Sequence, residues 1–255
     1  MEWYYIICLF VFGTVFGSFF NVVGSRLAHN ESILYPSSHC TYCKHKLGAS
    51  ELIPILSYII QGGKCKHCKK KLSMYYPISE FITGICFSLC YIVFGNTLEF
   101  LISIVFVSFL IMIVSSDIEA MIIPDELLVI GSILIILLQI PAYGFTYVLS
   151  HIVQGVGALF FMWGLKLFGD HLFQKESMGG GDIKLMFFFG LVLGFPLAVL
   201  SIFVGSVIGL PISVMFQLKK SHIIPFGPYL CLGAITLLLI HLPFDQLLDM
   251  MMFTK

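Results

Sequence analysis

Long apolar stretches separated by short polar interruptions dominate the chain. The first runs from Trp3 to Val23 without a charge. Others follow at about 77–94, 98–115, 124–141, 146–168, 184–195, 197–217 and 223–243. A bilayer core about 30 Å thick takes roughly 20 residues of helix, within a range of about 17–25. The pattern therefore predicts an all-α polytopic membrane protein with about eight transmembrane helices. The run at 184–195 is short, and Gly194 with Pro196 predicts a tight turn into its neighbour. The first stretch reads as a span rather than a cleavable signal, because no basic residues precede it and no small-residue cleavage site follows. One polar interruption is long, at 24–75. Three parts are expected: a first helix at 1–23, a small cytoplasmic insertion at 24–75, and a seven-helix membrane domain at 76–255.

Composition agrees with this pattern and excludes a soluble domain. The 255 residues are 58% hydrophobic and 11% charged, against about 45–50% and about 25% in soluble domains. With 25 Phe and 11 Tyr the chain is also far too aromatic for a disordered linker. Lys and Arg total 14, as do Asp and Glu, so the net charge is zero and the distribution carries the information. Eight of the 14 basic residues lie between Arg26 and Lys71. With the N-terminus outside, 24–75 becomes cytoplasmic, Lys166, Lys175 and Lys184 flank the next inner loop, and Lys219 with Lys220 falls in the last. Only Lys255 is then left outside, as the positive-inside bias requires. Topology and anionic lipid headgroups explain the basic loop more simply than nucleic acid does, so no nucleic-acid partner is expected.

The insertion is too short to bury much core, and it carries its own staple. Cys40-x2-Cys43 and Cys65-x2-Cys68, 21 residues apart, have the spacing of a structural zinc site, each pair offering two thiolates to a tetrahedral ion. Disulfides compete on paper, but a cytoplasmic loop is kept reduced. The flanking lysines are expected to favour thiolates, and His39, His45 and His67 are close enough to substitute as ligands. Cys8, Cys86, Cys90 and Cys231 lie in apolar runs and read as buried small hydrophobes.

Carboxylates near membrane spans are costly and usually functional. Asp125 and Glu126 follow Pro124 and suit the first turn of a helix. Asp245 and Asp249 read as solvated tail, and Glu2 precedes the first span. Asp117 is different, since a lone acid at a helix C-terminus opposes the dipole. Asp182, in Gly179-Gly180-Gly181-Asp182-Ile183-Lys184, could be a helix N-cap or a partner of Lys184. As a pair, Asp117 and Asp182 face the cytoplasm on two different helices. Two aspartates sharing a proton can activate water against a peptide bond without metal or covalent intermediate. From the residues alone, a membrane aspartyl hydrolase and a proton- or ion-coupled transporter both stay open. Gln139, Gln154 and His151 are the polar candidates for a transport path.

Seven ordered segments then resemble the type IV prepilin peptidase family, the membrane aspartyl proteases with a G-x-G-D motif. They are Gly17-Ser18-Phe19-Phe20-Asn21-Val22-Val23 with Arg26-Leu27, the two C-x2-C pairs, Glu51 through Tyr58, Tyr76-Pro77-x2-Glu80, Asp117 through Ile123-Pro124-Asp125-Glu126-Leu127, Gly179-x-Gly181-Asp182-Ile183-Lys184-Leu185, and Phe226-Gly227-Pro228-Tyr229. The resemblance implies an aspartic endopeptidase of a bacterial inner or cell membrane. It would remove the basic leader of prepilins or pseudopilins on the cytoplasmic side, after a glycine and ahead of a residue that is usually Phe. Asp117 and Asp182 are then the catalytic pair, with Gly179, Gly181 and Lys184 in the active-site loop, and Glu80 and Glu119 are candidates for leader recognition. The resemblance further implies N-methylation of the new terminus from S-adenosylmethionine, an activity associated with the cysteine-bearing segment. Gly24-Ser25 departs from the family's bulkier pair before the arginine, and Phe20 from its commoner Leu.

Overall fold

The computed structural model describes residues 2–217 and 225–241. The described residues are helical apart from turns and two isolated β-bridges. The helices are α1 (Glu2–Ala28), α2 (Leu56–Ile60), α3 (Tyr75–Phe94), α4 (Leu98–Ala120), α5 (Asp125–Tyr143), α6 (Phe145–Phe173), α7 (Gly180–Leu193), α8 (Phe195–Gln217) and α9 (Gly227–Ile240). Among them, α1, α3, α4, α5 and α6 are long and apolar enough to cross a membrane. Helices α7 and α9 have 14 residues each, about 21 Å at 1.5 Å per residue, which falls short of a bilayer core. Lys219, Lys220, Asp245, Asp249 and Lys255 lie outside the described residues.

Several helix boundaries run further than hydropathy predicts; α6, for instance, continues past residue 168 to Phe173, and α7 begins at Gly180 rather than at 184. Helix α1 continues past Val23 to Ala28, and α4 past residue 115 to Ala120. Polar residues end an apolar pattern, but they do not end a helix whose polar side chains find partners. At the end of α1 the Arg26 guanidinium donates to the carbonyls of Ser32 (3.0 Å), Ile33 (2.8 Å) and Pro36. Arg26 is buried, so it folds the chain back as it leaves the helix and does more than set topology.

The chain divides into two units, Met1–Asn96 with Val107–Ile122, and Thr97–Phe106 with Ile123–Lys255. In the first unit, α1 packs on α3 through glycines. A Cβ at Gly13 would come within 2.8 Å of Gly84 Cα, and one at Gly84 within 2.9 Å of Phe10 and Thr14. Lipid offers apolar helices no hydrophobic drive to associate, so close backbone approach through small residues supplies the packing. A buried polar seam accompanies it. Asn21 donates to Ser79 Oγ (2.6 Å), Ser115 Oγ donates to the Asn21 carbonyl (3.3 Å), and Thr83 Oγ1 donates to the Ser79 carbonyl (2.7 Å). Gly24, the departure from the family pattern, sits against the Met112 carbonyl and Ser115 of α4, where a Cβ has no room.

The second unit repeats the device. A Cβ at Gly190 of α7 would lie 2.6 Å from Gly155 Cα of α6, and one at Gly205 of α8 would lie 2.6 Å from the Tyr229 carbonyl of α9. Phe106, Phe188 and Phe189 are fully buried, with the Phe106 ring 5.1 Å from Phe188 and 6.1 Å from Phe189. The turn expected at Gly194 is present: Gly194 takes φ +82° and caps α7, and α8 starts at Phe195.

Candidate active site and metal centre

Each C-x2-C pair folds as a small knuckle, and the two knuckles are built alike. In the first, the Cys40 amide donates to the His45 carbonyl and the Lys44 amide to the Cys40 carbonyl, both at 2.9 Å. In the second, Cys65 donates to Lys70 (2.9 Å) and Lys69 to Cys65 (3.0 Å). Lys44 and Lys69, each just after the second cysteine, take positive φ of 57° and 59°. The bridges His39–Lys46 and Lys64–Lys71 close the two loops.

The result is one cluster, with all four Sγ atoms within 4.8 Å of one another. Cys40–Cys68 and Cys43–Cys65 are 3.9 and 4.0 Å apart. A tetrahedral ion with Zn–S near 2.3 Å sets sulfurs about 3.8 Å apart, whereas a disulfide needs about 2.05 Å. The donor set fits a closed zinc site of four thiolates, whose chemistry is structural cross-linking. His39, His45 and His67 are not in the cluster. The His45 and His67 rings instead stack on each other at 4.8 Å.

The lysines do not supply the electrostatics expected of them. The Cys43 amide, aided by that of Tyr42 and by neighbouring thiols, lowers the Cys40 thiol to about 6 against the effect of burial. At Cys43 the His45 amide pulls downward, but burial and the surrounding thiols outweigh it and raise the group to about 11. The backbone of the knuckle thus prepares one thiolate for the metal.

Asp117 lies in the last turn of α4, buried beside buried Ser115 and Ser116. Its carbonyl accepts the Met121 amide at 2.9 Å, and Met121 ends the helix with φ +56°. Asp117 belongs to the first unit, and the Ile123-Pro124-Asp125 part of the same motif belongs to the second.

In the second unit, Gly179 is the N-cap of α7 and Asp182 lies three residues on, in the first turn. The N-cap alternative for Asp182 is therefore set aside. A carboxylate in that turn still complements the helix dipole. The glycines divide by surroundings. A Cβ at Gly181 would press on the Ile123 side chain at 3.0 Å, one at Gly180 would meet nothing, and one at Gly179 would meet only Asp182 at 3.7 Å. Lys184 has its bonded carboxylate elsewhere, at the start of α5. It donates to both Asp125 oxygens, at 2.7 and 2.8 Å. The loop is thus tied to the start of α5, where Asp125 follows Pro124 as expected.

Glu80 and Glu119 line one cavity of the first unit, of about 360 Å³, together with Cys40, Cys65, Asn21 and Glu51. Glu80 is buried, and its Oε2 accepts the Ile55 amide at 2.8 Å. Ile55 has φ +60° and ψ −53°, and the Leu56 amide donates back to the Pro54 carbonyl across it. This is a γ-turn in its rare and strained form, on a β-branched residue. The buried carboxylate of Glu80 holds that strained turn against α3. Exposed Glu119 stands at the same cavity. No feature of the sequence distinguishes Ile55 from its apolar neighbours, so this link shows only in three dimensions.

The transport candidates have structural partners. Gln139 Nε2 donates to the Leu191 carbonyl at 3.0 Å, and His151 Nδ1 lies 3.1 Å from the same oxygen. Gln154 Oε1 accepts the Phe195 amide at 3.0 Å. All three attend to backbone groups left over where α7 ends and α8 begins.

A multi-pass helical protein with a four-cysteine knuckle after its first helix, a buried aspartate closing one apolar helix and a glycine-flanked aspartate opening another, defines a class of membrane enzyme. Comparison with known proteins identifies it. Residues 11–94 match the model of the bacterial peptidase A24 N-terminal domain, and residues 104–214 that of the type IV leader peptidase family. A Bacillus subtilis (strain 168) protein named prepilin leader peptidase/N-methyltransferase is 33% identical over 231 residues, covering 89% of this chain and 91% of the relative. Proteins of the same name from Neisseria gonorrhoeae (30% identical; 88% and 86% covered) and Aeromonas hydrophila (28%; 92% and 90%) align along most of both chains. The chain belongs to the type IV leader peptidase family. No solved structure matches it.

Proposed function

We propose that this enzyme removes the basic leader of type IV prepilins or pseudopilins, at a Gly–Phe type bond on the cytoplasmic side, with Asp117 and Asp182 as its catalytic pair. The observation that carries this reading is family membership combined with the setting of the two acids. Each lies where an apolar helix meets a polar segment, on residues that match the family's aspartate motifs. One ionised aspartate takes a proton from water. The protonated partner polarises the scissile carbonyl and then protonates the departing amine. Their titration belongs to the pair. Gly181 lets the loop lie against Ile123, and the Lys184–Asp125 bridge orients it. Glu119, exposed at the cavity, meets the basic leader, while Glu80 acts through the turn at Ile55.

The same reading extends to N-methylation of the new terminus with S-adenosylmethionine, the second activity in the relatives' name. Cys40, Cys43, Cys65 and Cys68 hold a structural zinc. The molecule spans a bacterial cell (inner) membrane eight times, N-terminus outside, with 24–75 and both aspartates at the cytoplasmic face and 76–255 as the membrane domain. The short α7 and α9 then need bilayer thinning or flanking polar segments at their ends. A transporter finds no support, since its candidate side chains are helix-end partners.

The direct test is gel-shift cleavage of a co-expressed prepilin-like substrate by wild type, Asp117→Asn and Asp182→Asn, each checked for membrane insertion. Cleavage is expected from wild type alone. Persistence in either variant would remove that residue from the chemistry.

A further inference from the structure

The stretch between the two knuckles is amphipathic in the reverse of the usual sense. From Leu52 to Ile60 it reads Leu-Ile-Pro-Ile-Leu-Ser-Tyr-Ile-Ile, without a charge, and its second half forms α2. A helix on a water-soluble surface turns its apolar stripe inward and its polar side out. Here Ser57, Tyr58 and Gln61 line the internal cavity of the first unit, and the Tyr58 hydroxyl donates to the Leu72 carbonyl at 3.3 Å. Leu56, Ile59 and Ile60, which three- and four-residue spacing puts on one side of the helix, are 56%, 65% and 82% exposed. Ile53, whose carbonyl accepts the Ser57 amide at 3.0 Å, is exposed too. A single exposed apolar side chain is ordinary, but a cluster of them marks an interaction surface.

Its depth and its charge say what covers it. The Ile55 amide donates to Glu80 at 2.8 Å. Glu80 comes five residues after Tyr75, the first residue of α3, which is about 7.5 Å along the axis. Helix α3 has 20 residues, about the length of a bilayer core. Ile78 and Phe81, flanking Glu80, are about half exposed, as lipid-facing side chains are. The start of α2 is therefore fixed where the hydrocarbon of the leaflet begins, and not out in water. From there the chain passes through Gly62 and Gly63, both at positive φ, into the second knuckle. That knuckle carries Lys64, Lys66, Lys69, Lys70 and Lys71, all exposed. No acid occurs from Leu52 to Met74, and these lysines form no ion pair among the described residues. An apolar helix face joined to a basic segment is the make-up of an interfacial element on anionic lipid.

We propose that α2 lies in the surface of the bilayer, with Leu56, Ile59 and Ile60 among the acyl chains and the lysines of the second knuckle on anionic headgroups. The contact pins the middle of 24–75 to the membrane, between the two ends already held by α1 and α3. It also keeps Ser57, Tyr58 and Gln61 turned toward the cavity. It requires only that α1 and α3 cross the membrane, in either orientation, and it is independent of both cleavage and methylation.

The test uses the full-length, zinc-loaded protein in nanodiscs of phosphatidylglycerol and phosphatidylcholine in equal parts. Trp3→Phe and Trp163→Phe remove both tryptophans, and Ile60→Trp then supplies a single fluorescent reporter on the outward face. Lipid brominated near the headgroup end of its chains is expected to quench this reporter at least about twofold more than lipid brominated near the chain ends, as burial to about 5–10 Å implies. Acrylamide in the water should leave it nearly unquenched. At the same total composition, bromine carried by phosphatidylglycerol should quench more than bromine carried by phosphatidylcholine. Lys69→Gln, Lys70→Gln and Lys71→Gln together should narrow that difference. Quenching by acrylamide and by neither lipid would put the face in water. Shielding from all three would show that protein covers it, a second copy or a bound peptide. Either result overturns the proposal, and equal quenching through the two headgroups overturns its anionic part. Ile59→Trp in the same background repeats the reading should Ile60→Trp fail to insert.

Discussion

At the scale of the residue, the G-x-G-D motif can be read glycine by glycine. The chain approaches Ile123 at Gly181, whereas Gly180 faces open space. Gly180→Ala is therefore expected to keep near-normal cleavage. Gly181→Val should lose most of it while still inserting, because the added atoms force the loop off Ile123. Cleavage assays with matched membrane levels distinguish the two. Lys184 and Asp125 are each more than half exposed, and exposed pairs contribute at most about 1 kcal/mol. Lys184→Met should accordingly leave thermal stability nearly unchanged, and any loss of cleavage would report on loop orientation. The motif residues were legible in the sequence because their types and spacing carry the chemistry. The partners were not. Lys184 lies two residues from Asp182 in sequence, yet it bridges 59 residues back to Asp125.

At the scale of the element, the knuckle and the glycine-packed helix pair make separate predictions. Cys40 is held down to about 6 and Cys43 up to about 11, so at pH 7.5 the first is largely thiolate and the second is protonated. Zinc uptake at that pH should release at least one proton, from Cys43, measurable with an indicator dye in weak buffer. Affinity should fall as pH drops through 6, where protons compete for Cys40 as well. Chelation, or Cys40→Ser, should loosen 24–75 in hydrogen exchange and leave α5–α7 protected. For the helix pair, Gly190→Ala places a methyl on the Gly155 backbone. Overpacking of this kind typically costs about 1–3 kcal/mol, to be read as a lower melting temperature in detergent. Hydropathy located these helices well but ended α1 and α4 too early. It scores polarity, and it cannot know that Arg26 and Asp117 are buried.

At the scale of the whole molecule, orientation and pH dependence are the observables. A reporter active only outside the cell should work when fused after Lys255 and stay silent when fused after Lys175. The reverse result would invert the topology. Cleavage should follow a bell-shaped pH profile, because an aspartyl pair works with one proton shared between two groups. A flat profile across both limbs would count against the pair.

By itself, the sequence determined that the protein is a multi-pass membrane protein and that four cysteines form a metal-type set, and it supplied the proposals of which face carries the basic loop and which two aspartates to test. Each follows from local composition or spacing, and these depend on the chain's own neighbours. Only the tertiary structure decided that Glu80 secures a strained turn 25 residues away. It also decided that Arg26 is buried and that Gln139 and His151 serve a helix end. The contacts of Glu80, Gln139 and His151 pair residues 25 to 52 apart in sequence. Burial and hydrogen-bond satisfaction are properties of the packed chain, so no window along the sequence contains them.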